Sequence, residues 1–336
     1  MTSKFLNLDR RQVLLGAAAG SAMAALPWPV GGLAHAAVGK LRVGSLKFGS
    51  LAWLLKTVID GELDKREGVE IDLVDMASTG AAKIGLLAGD ADVIVSDWPW
   101  AMRQLAEGDP VQFAPYSSAL GAVMVAADAP IKTVADLDGK RIGVAGTVLD
   151  KSWLLLRAYV QKETGKDLAD MVTPVFGAAP LIAEQVRQGR VDAALNFWTF
   201  SARLRGEGYR ELISMADVLK GLGVDPTPSL VGFIWDQKKT AGKEKEVSAF
   251  LRAIGAGNAL LSTSDEAWER LRKDTRAKSD AEFEALRTYY RSGIPQGWSD
   301  AQTQSAQKLF DLLVKLGETT LGGGKVKFDP ALFHGA

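Results

Sequence analysis

The feature that most limits what this chain can fold into is a stretch that occurs twice. Asp92-Val93-Ile94-Val95-Ser96-Asp97-Trp98-Pro99-Trp100 is echoed about a hundred positions later by Asp192-Ala193-Ala194-Leu195-Asn196-Phe197-Trp198-Thr199-Phe200. Each copy follows a helix-like segment ending in glycine, at Gly89 and at Gly189. Each then runs through a short apolar strand into polar and aromatic residues. The echo extends upstream. Leu41-Arg42-Val43-Gly44 answers Lys140-Arg141-Ile142-Gly143, and Ala52-Trp53-Leu54-Leu55 answers Ser152-Trp153-Leu154-Leu155. A repeat of this kind predicts two like-built α/β lobes that bring strand ends to a shared cleft, which is a binding architecture.

Within the first copy, alternation predicts strands over 41–46 and 69–74; the loop 47–50 leads into a helix carrying Trp53, Leu54, Leu55, Val58 and Ile59, and a second helix is expected over 81–87. Short strand–helix connections imply a doubly wound, mainly parallel sheet, whose ligands sit at the carboxyl ends of the strands. The pattern restarts at 136–144, and Pro180 opens a helix after a strand over 172–176. From 241 onward four helices are expected, over 243–262, 265–276, 280–291 and 300–317, with Gly255 and Gly257 weakening the first. Such a tail fits packing back on the first lobe. The stretches 116–121 and 228–232 combine small and extended-type residues, as inter-lobe crossings do; plain strands of one sheet would read the same way. The expected division is 37–118 plus 229–336 for lobe 1 and 119–228 for lobe 2.

The first 36 residues read as a twin-arginine signal peptide. Arg10 and Arg11 precede an apolar run over 13–26, and Ala34-His35-Ala36 supplies a cleavage pattern. The run is short for a bilayer span, so a cleaved signal is the first reading and a retained anchor the second. The chain has no cysteine, which suits a protein exported already folded. Its 40 basic and 40 acidic residues balance, which gives nucleic acid or an anionic membrane nothing to attract. A soluble periplasmic monomer is expected.

Three features together resemble a known family. These are Ala135-Asp136-Leu137-Asp138-Gly139-Lys140-Arg141-Ile142-Gly143-Val144, the paired Gly-x-x-Asp segments at Gly89 to Asp92 and Gly189 to Asp192, and Phe250-Leu251-Arg252-Ala253-Ile254. The resemblance is to the substrate-binding proteins of nitrate/sulfonate/taurine-type ABC importers, related to the NMT1/THI5-like fold. It implies a two-lobed type II periplasmic-binding-protein fold that closes over one small molecule. It also implies an ABC permease and its ATPase as partners, and neither cofactor nor metal.

Carried onto this sequence, the resemblance puts ligand contacts at Lys47, Phe48 and Ser50, at Ser78, Thr79 and Gly80, and at Ser96, Asp97 and Trp98. Tyr116, Thr147, Asn196 and Trp198 complete the set. Helix starts among these loops favour an anionic group, whereas Asp97 favours an amine or N–H donor. Ser78 reads equally well as a simple helix cap, and Asp150 better as a cap than as a contact. Trp98 and Trp198, at matching strand ends, are the candidate stacking pair, while Trp53 and Trp153 read as core wedges. A sulfonate-, amine- or pyrimidine-like organic ligand follows. Lys47 and Lys151 are the basic candidates. Only two histidines occur, His35 and His334, at opposite ends of the chain, so no histidine-based catalytic or metal cluster is expected. A solute receptor for an importer is the leading reading; an enzyme on the same fold and a ligand-sensing accessory protein are the alternatives.

Overall fold

The repeat is built first as a pair of identical ionic clamps. In the computed structural model, which describes residues 39–46, 49–317 and 326–334, strand β1 (Gly39–Ser45) lies between β2 (Val69–Asp75) and β3 (Val93–Asp97), all parallel. Asp92, just before β3, accepts the Arg42 backbone N–H at 2.9 Å and the Arg42 guanidinium at 2.7 Å. The Asp92 N–H donates back to the Arg42 carbonyl at 2.8 Å. A hundred residues on, the same atoms do the same work. Asp192 accepts the Arg141 N–H at 2.8 Å and its guanidinium at 2.7 Å, and returns its own N–H to the Arg141 carbonyl at 2.8 Å. That joins β6 (Arg141–Ala145) to β8 (Ala193–Phe197). Gly89 and Gly189 stop the preceding helices with φ of 83° and 63°, a left-handed turn that a side chain would strain.

Each clamp starts a five-stranded sheet. The first runs β2-β1-β3-β10-β4, with β4 at Val111–Ser117 and β10 at Val231–Asp236; the second runs β7-β6-β8-β5-β9, with β5 at Gly121–Val125, β7 at Thr173–Gly177 and β9 at Arg210–Ser214. Four strands of each sheet are parallel. The exceptions are β10 and β5, each antiparallel to both its neighbours. The chain leaves the first sheet after Ser117, joins the second at Gly121, and returns at Val231.

Helices follow the strands. In the first lobe these are α1 (Ser50–Asp60), α2 (Leu63–Glu67), α3 (Thr79–Ala88) and α4 (Trp98–Glu107). In the second they are α5 (Lys151–Thr164), α6 (Leu168–Met171), α7 (Ala179–Arg187), α8 (Trp198–Gly206) and α9 (Met215–Gly221). Trp53 and Trp153 are both buried, Trp153 edge-on to Phe176 of β7 and Trp53 among Trp198, Trp268 and Tyr290 of neighbouring helices. The tail forms α10 (Glu244–Thr263), α11 (Asp265–Thr275), α12 (Asp280–Ser292) and α13 (Asp300–Lys315), within two residues of the expected bounds.

Helix α10 lies on α1, and Gly257 explains itself there: a Cβ at that position would sit 2.6 Å from Val58 Cγ2. The glycine lets two helices approach closely. Helix α12 does something the pattern did not foretell, since it packs against α8 of the second lobe. Among the described residues no helix is long and apolar enough to cross a membrane. The signal segment lies outside the described residues.

The two clamps differ in burial. The Asp92 side chain is 2% exposed and also takes Lys243 Nζ at 2.8 Å, whereas the Asp192 side chain is 33% exposed. Burial alone would raise the Asp92 carboxyl, but the Arg42 and Lys243 hydrogen bonds overcome that and hold it below the usual carboxylate range. Asp92→Ala is therefore expected to cost about 2 kcal/mol in urea unfolding, because the Arg42 N–H and two partly exposed cations lose their acceptor. Asp192→Ala is expected to cost about 1 kcal/mol or less. A carboxyl lowered on folding stabilises fully above its ordinary range near pH 4 and loses that effect as pH falls further. Wild type should thus lose stability more steeply than Asp92→Asn below about pH 4, measured by urea midpoints across pH; equal slopes would refute the assignment.

Candidate functional site

Three hydroxyl-bearing residues from distant parts of the first lobe converge on one cavity of about 190 Å³. Ser50 comes from the start of α1, Thr79 from the start of α3, and Tyr116 from the end of β4. Gly44, Leu46, Leu51, Ala82 and Val95 complete a largely apolar lining. Helix α1 begins at Gly49, whose φ of 98° turns the chain sharply from strand to helix. No side chain caps that end, and no acidic residue lies in its first turn. Helix α3 also lacks an acidic first turn. Two helix starts thus place positive dipole ends beside the cavity, where an oxygen-rich or anionic group is favoured. The Tyr116 hydroxyl donates to Ser50 Oγ at 2.7 Å. Burial pushes the Tyr116 phenol well above its ordinary range, so it remains a donor at any physiological pH.

Charge enters from Asp97 at the end of β3. Its carboxylate accepts the Trp100 N–H at 3.2 Å as the cap of α4. It also lies 3.3 Å from Lys83 Nζ on α3 and 3.6 Å from Lys151 Nζ at the start of α5, in the second lobe. This ion pair marks where the carboxyl ends of the two sheets face each other. Burial alone would raise the Asp97 carboxyl, but Lys151 and Lys83 together lower it below the usual range, so it is ionised at neutral pH.

On the second-lobe side Asp150 caps α5, accepting from Ser152 N at 2.9 Å and Trp153 N at 3.3 Å. Burial lifts its carboxyl above the usual range. Val148, Leu149, Leu181 and Phe197 are exposed at or just beyond the carboxyl ends of the second sheet.

The other sequence-derived contacts scatter. Ser78 is an ordinary cap, accepting from Ala81 N at 3.1 Å, and with Gly80 it is exposed. Thr147 is exposed and its hydroxyl accepts from Leu149 N at 3.2 Å within its own turn. Ser96 is buried in the sheet. Lys47 and Phe48 lie outside the described residues.

Two assignments need correction. Asn196 is buried, its amide donating to the Ala179 carbonyl at 2.9 Å and accepting from Phe197 N at 2.9 Å, so it ties β8 to α7 and does not line the cavity. Trp98 is fully buried, edge-on to Phe333 at 6.1 Å and Phe328 at 6.4 Å, under the C-terminal segment. Trp198 belongs to a different cluster, edge-on to Trp53 at 6.1 Å and Tyr290 at 6.3 Å. The two tryptophans are therefore not a stacking pair across a gap. Nothing in the sequence around Lys83 marks it out. It sits in the second turn of α3, and only its placement beside Asp97 gives it meaning.

The architecture of two five-stranded mixed sheets facing across a cleft is the type II periplasmic-binding-protein fold. The chain belongs to the NMT1/THI5-like family, whose profile matches residues 65–266. Among solved structures it is similar to the alkanesulfonate-binding protein SsuA from Xanthomonas axonopodis pv. citri bound to MOPS, at 19% identity and TM-score 0.64, over 87% of this chain and 97% of that one. It is also similar to the periplasmic aliphatic sulphonate binding protein SsuA from Escherichia coli, at 19% identity and TM-score 0.60, over 81% and 92%. The desulfurization enzyme DSZB shares the fold at 14% identity and TM-score 0.57, over 88% and 97%. No curated protein matches in sequence.

The burial of Trp98 has a measurable consequence. Trp98→Phe is expected to lower the unfolding free energy by roughly 1–3 kcal/mol through lost core volume, with any ligand's Kd changing less than about twofold. Thermal denaturation and calorimetry decide it; a tenfold or larger change in Kd would return Trp98 to the cleft.

Proposed function

We propose that this protein is the solute-binding component of an ABC importer. It captures a small organic molecule between its lobes and hands it to a membrane permease and its ATPase. The lobes comprise 37–118 with 229–336, and 119–228, and the molecule works as an exported periplasmic monomer. The observation that carries the reading is the Ser50–Thr79–Tyr116 cavity at the strand ends of one lobe, with Lys151 of the other lobe reaching across to Asp97 beside it. Membership of the family and the likeness to the two sulfonate-binding structures support it, and the Arg10-Arg11 segment supports export.

The lining points to a ligand class. Three hydroxyls and two helix starts suit an oxygen-bearing head group, and the apolar walls suit a short hydrocarbon or flat part. Asp97 supplies a protein carboxylate to the lysines of the cleft, which disfavours a multiply charged anion. A singly charged sulfonate, an amine-bearing acid or a pyrimidine-like ring fits this lining. A second reading, catalysis on the same frame, is favoured only by the likeness to the desulfurization enzyme.

The test begins with mass spectrometry of small molecules that co-purify from the periplasm, followed by thermal shifts with the identified compound. Ligand at a hundred times its Kd should stabilise the fold by about 2.7 kcal/mol. Ser50→Ala and Tyr116→Phe should each weaken binding roughly tenfold, the worth of one buried hydrogen bond. Unchanged affinity in both variants would remove the cavity from the site, and turnover of the compound would favour the enzyme.

A further inference from the structure

Among the places where the two lobes meet, which include the packing of α13 on α5, two contrast in character. At the first, α8 of the second lobe lies against α12 of the tail. The Arg203 guanidinium pairs with Glu282, which is 2% exposed, and donates to the Thr275 carbonyl at 2.7 Å. Gly206 approaches so closely that a Cβ there would fall 2.4 Å from Glu282 Cα. The edge-on contact of Trp53 with Trp198 spans the same junction. This contact is buried, shape-matched and charge-satisfied. At the second, Asp97 and Lys151 face each other at 3.6 Å, each about one-fifth exposed, with nothing in the pair that needs close shape complementarity.

The first-lobe half of that second contact is held in place. The Trp100 N–H fixes the Asp97 carboxylate at the start of α4, and Lys83 lies both 3.3 Å from it and 5.1 Å above the Trp100 ring. An ion pair acts over distance and tolerates sliding, so it suits a contact made and broken repeatedly. A buried pair whose partner is removed is heavily penalised, which suits a contact that persists.

We propose that the Asp97–Lys151 pair is a latch across the cleft, a protein carboxylate that draws the second lobe onto the first before any ligand arrives, while the α8–α12 contact serves as the pivot. The cleft's role as ligand site underlies the interest of this device. The latch itself is a property of the ligand-free protein and is tested there, so its failure and the failure of the binding role are separable.

The chain contains no cysteine, so two introduced cysteines take spin labels at those positions alone. Ile84→Cys on α3 and Leu181→Cys on α7 are both exposed and lie on opposite lobes. Distances between the labels are measured by pulsed electron resonance on protein stripped of co-purified ligand. Asp97→Asn retains an oxygen that can cap α4, and Lys151→Met retains the length of the side chain. Each is expected to lower the ratio of shut to open populations roughly fivefold, the scale of a partly exposed ion pair. The double variant should move no further than either single one, since both remove the same interaction. Lys56→Met, which breaks an exposed pair with Asp60, should leave the distribution unchanged. Distributions identical to wild type in both Asp97→Asn and Lys151→Met overturn the proposal, as does a shift in only one of them. Should either variant fail to unfold cooperatively, the other decides alone.

Discussion

A chain that starts a parallel sheet, leaves it to build a second, and then returns must finish the first sheet from the other direction. That constraint shapes this molecule. Strand β10 comes back antiparallel between β3 and β4, and β5 enters the second sheet antiparallel between β8 and β9. Both crossings therefore run beside the carboxyl ends of the parallel strands. The ends where helices start and backbone donors gather are turned toward one another, and a cleft follows from connectivity before any side chain is chosen. Gly232 shows how tightly the returning strand is fitted, since a Cβ there would lie 2.3 Å from the Ala114 carbonyl oxygen.

Strand β3 carries two carboxylates with different surroundings along its length. At its amino end Asp92 is clamped by Arg42 and Lys243 and holds the sheet together. At its carboxyl end Asp97 meets a lysine of the facing lobe. The second lobe repeats the first half of this design, with Asp192 and Arg141, and drops the other half: Phe197 stands where Asp97 would be and is 45% exposed. The repeat is thus faithful where it serves folding and diverges where it faces the cleft. One lobe offers charge and hydroxyls, the other an apolar edge that includes Val148, Leu149 and Leu181. Two such unlike walls suit a ligand that is itself polar at one end and apolar at the other.

Most of the fold was legible because its signals are local. Periodicity placed the four tail helices, and the paired Gly-x-x-Asp segments marked the starts of β3 and β8. The site was legible only where a loop's own geometry decides the outcome, as with Ser50 and Thr79 at helix starts or Asp150 as a cap. Trp98 shows why the rest was not. A tryptophan at the end of a strand faces the cleft unless something covers it, and the cover here is Phe328 and Phe333, more than two hundred residues further along. The matching position in the other lobe, Trp198, is covered differently, by Trp53 and Tyr290. Nothing within either strand distinguishes these fates. The same holds for α12, whose sequence reads as an ordinary amphipathic helix and whose partner across the lobe boundary is set by the small residue Gly206.

A protein that holds and releases a small molecule, as proposed here, needs a balance of forces across its cleft. If every inter-lobe contact were like Arg203 with Glu282, buried and hydrogen-bonded, opening would strand charges at a cost of several kcal/mol, about 3–5 for one broken pair. Were every contact like Asp97 with Lys151, partly wet and worth about 1 kcal/mol or less, the lobes would have no fixed axis to turn on. Contacts of both kinds together would define an axis while keeping the energy difference between a shut and an open arrangement small. On the proposed reading, a small molecule making a few hydrogen bonds to Ser50, Thr79 and Tyr116 would have enough interaction energy to decide which arrangement is populated.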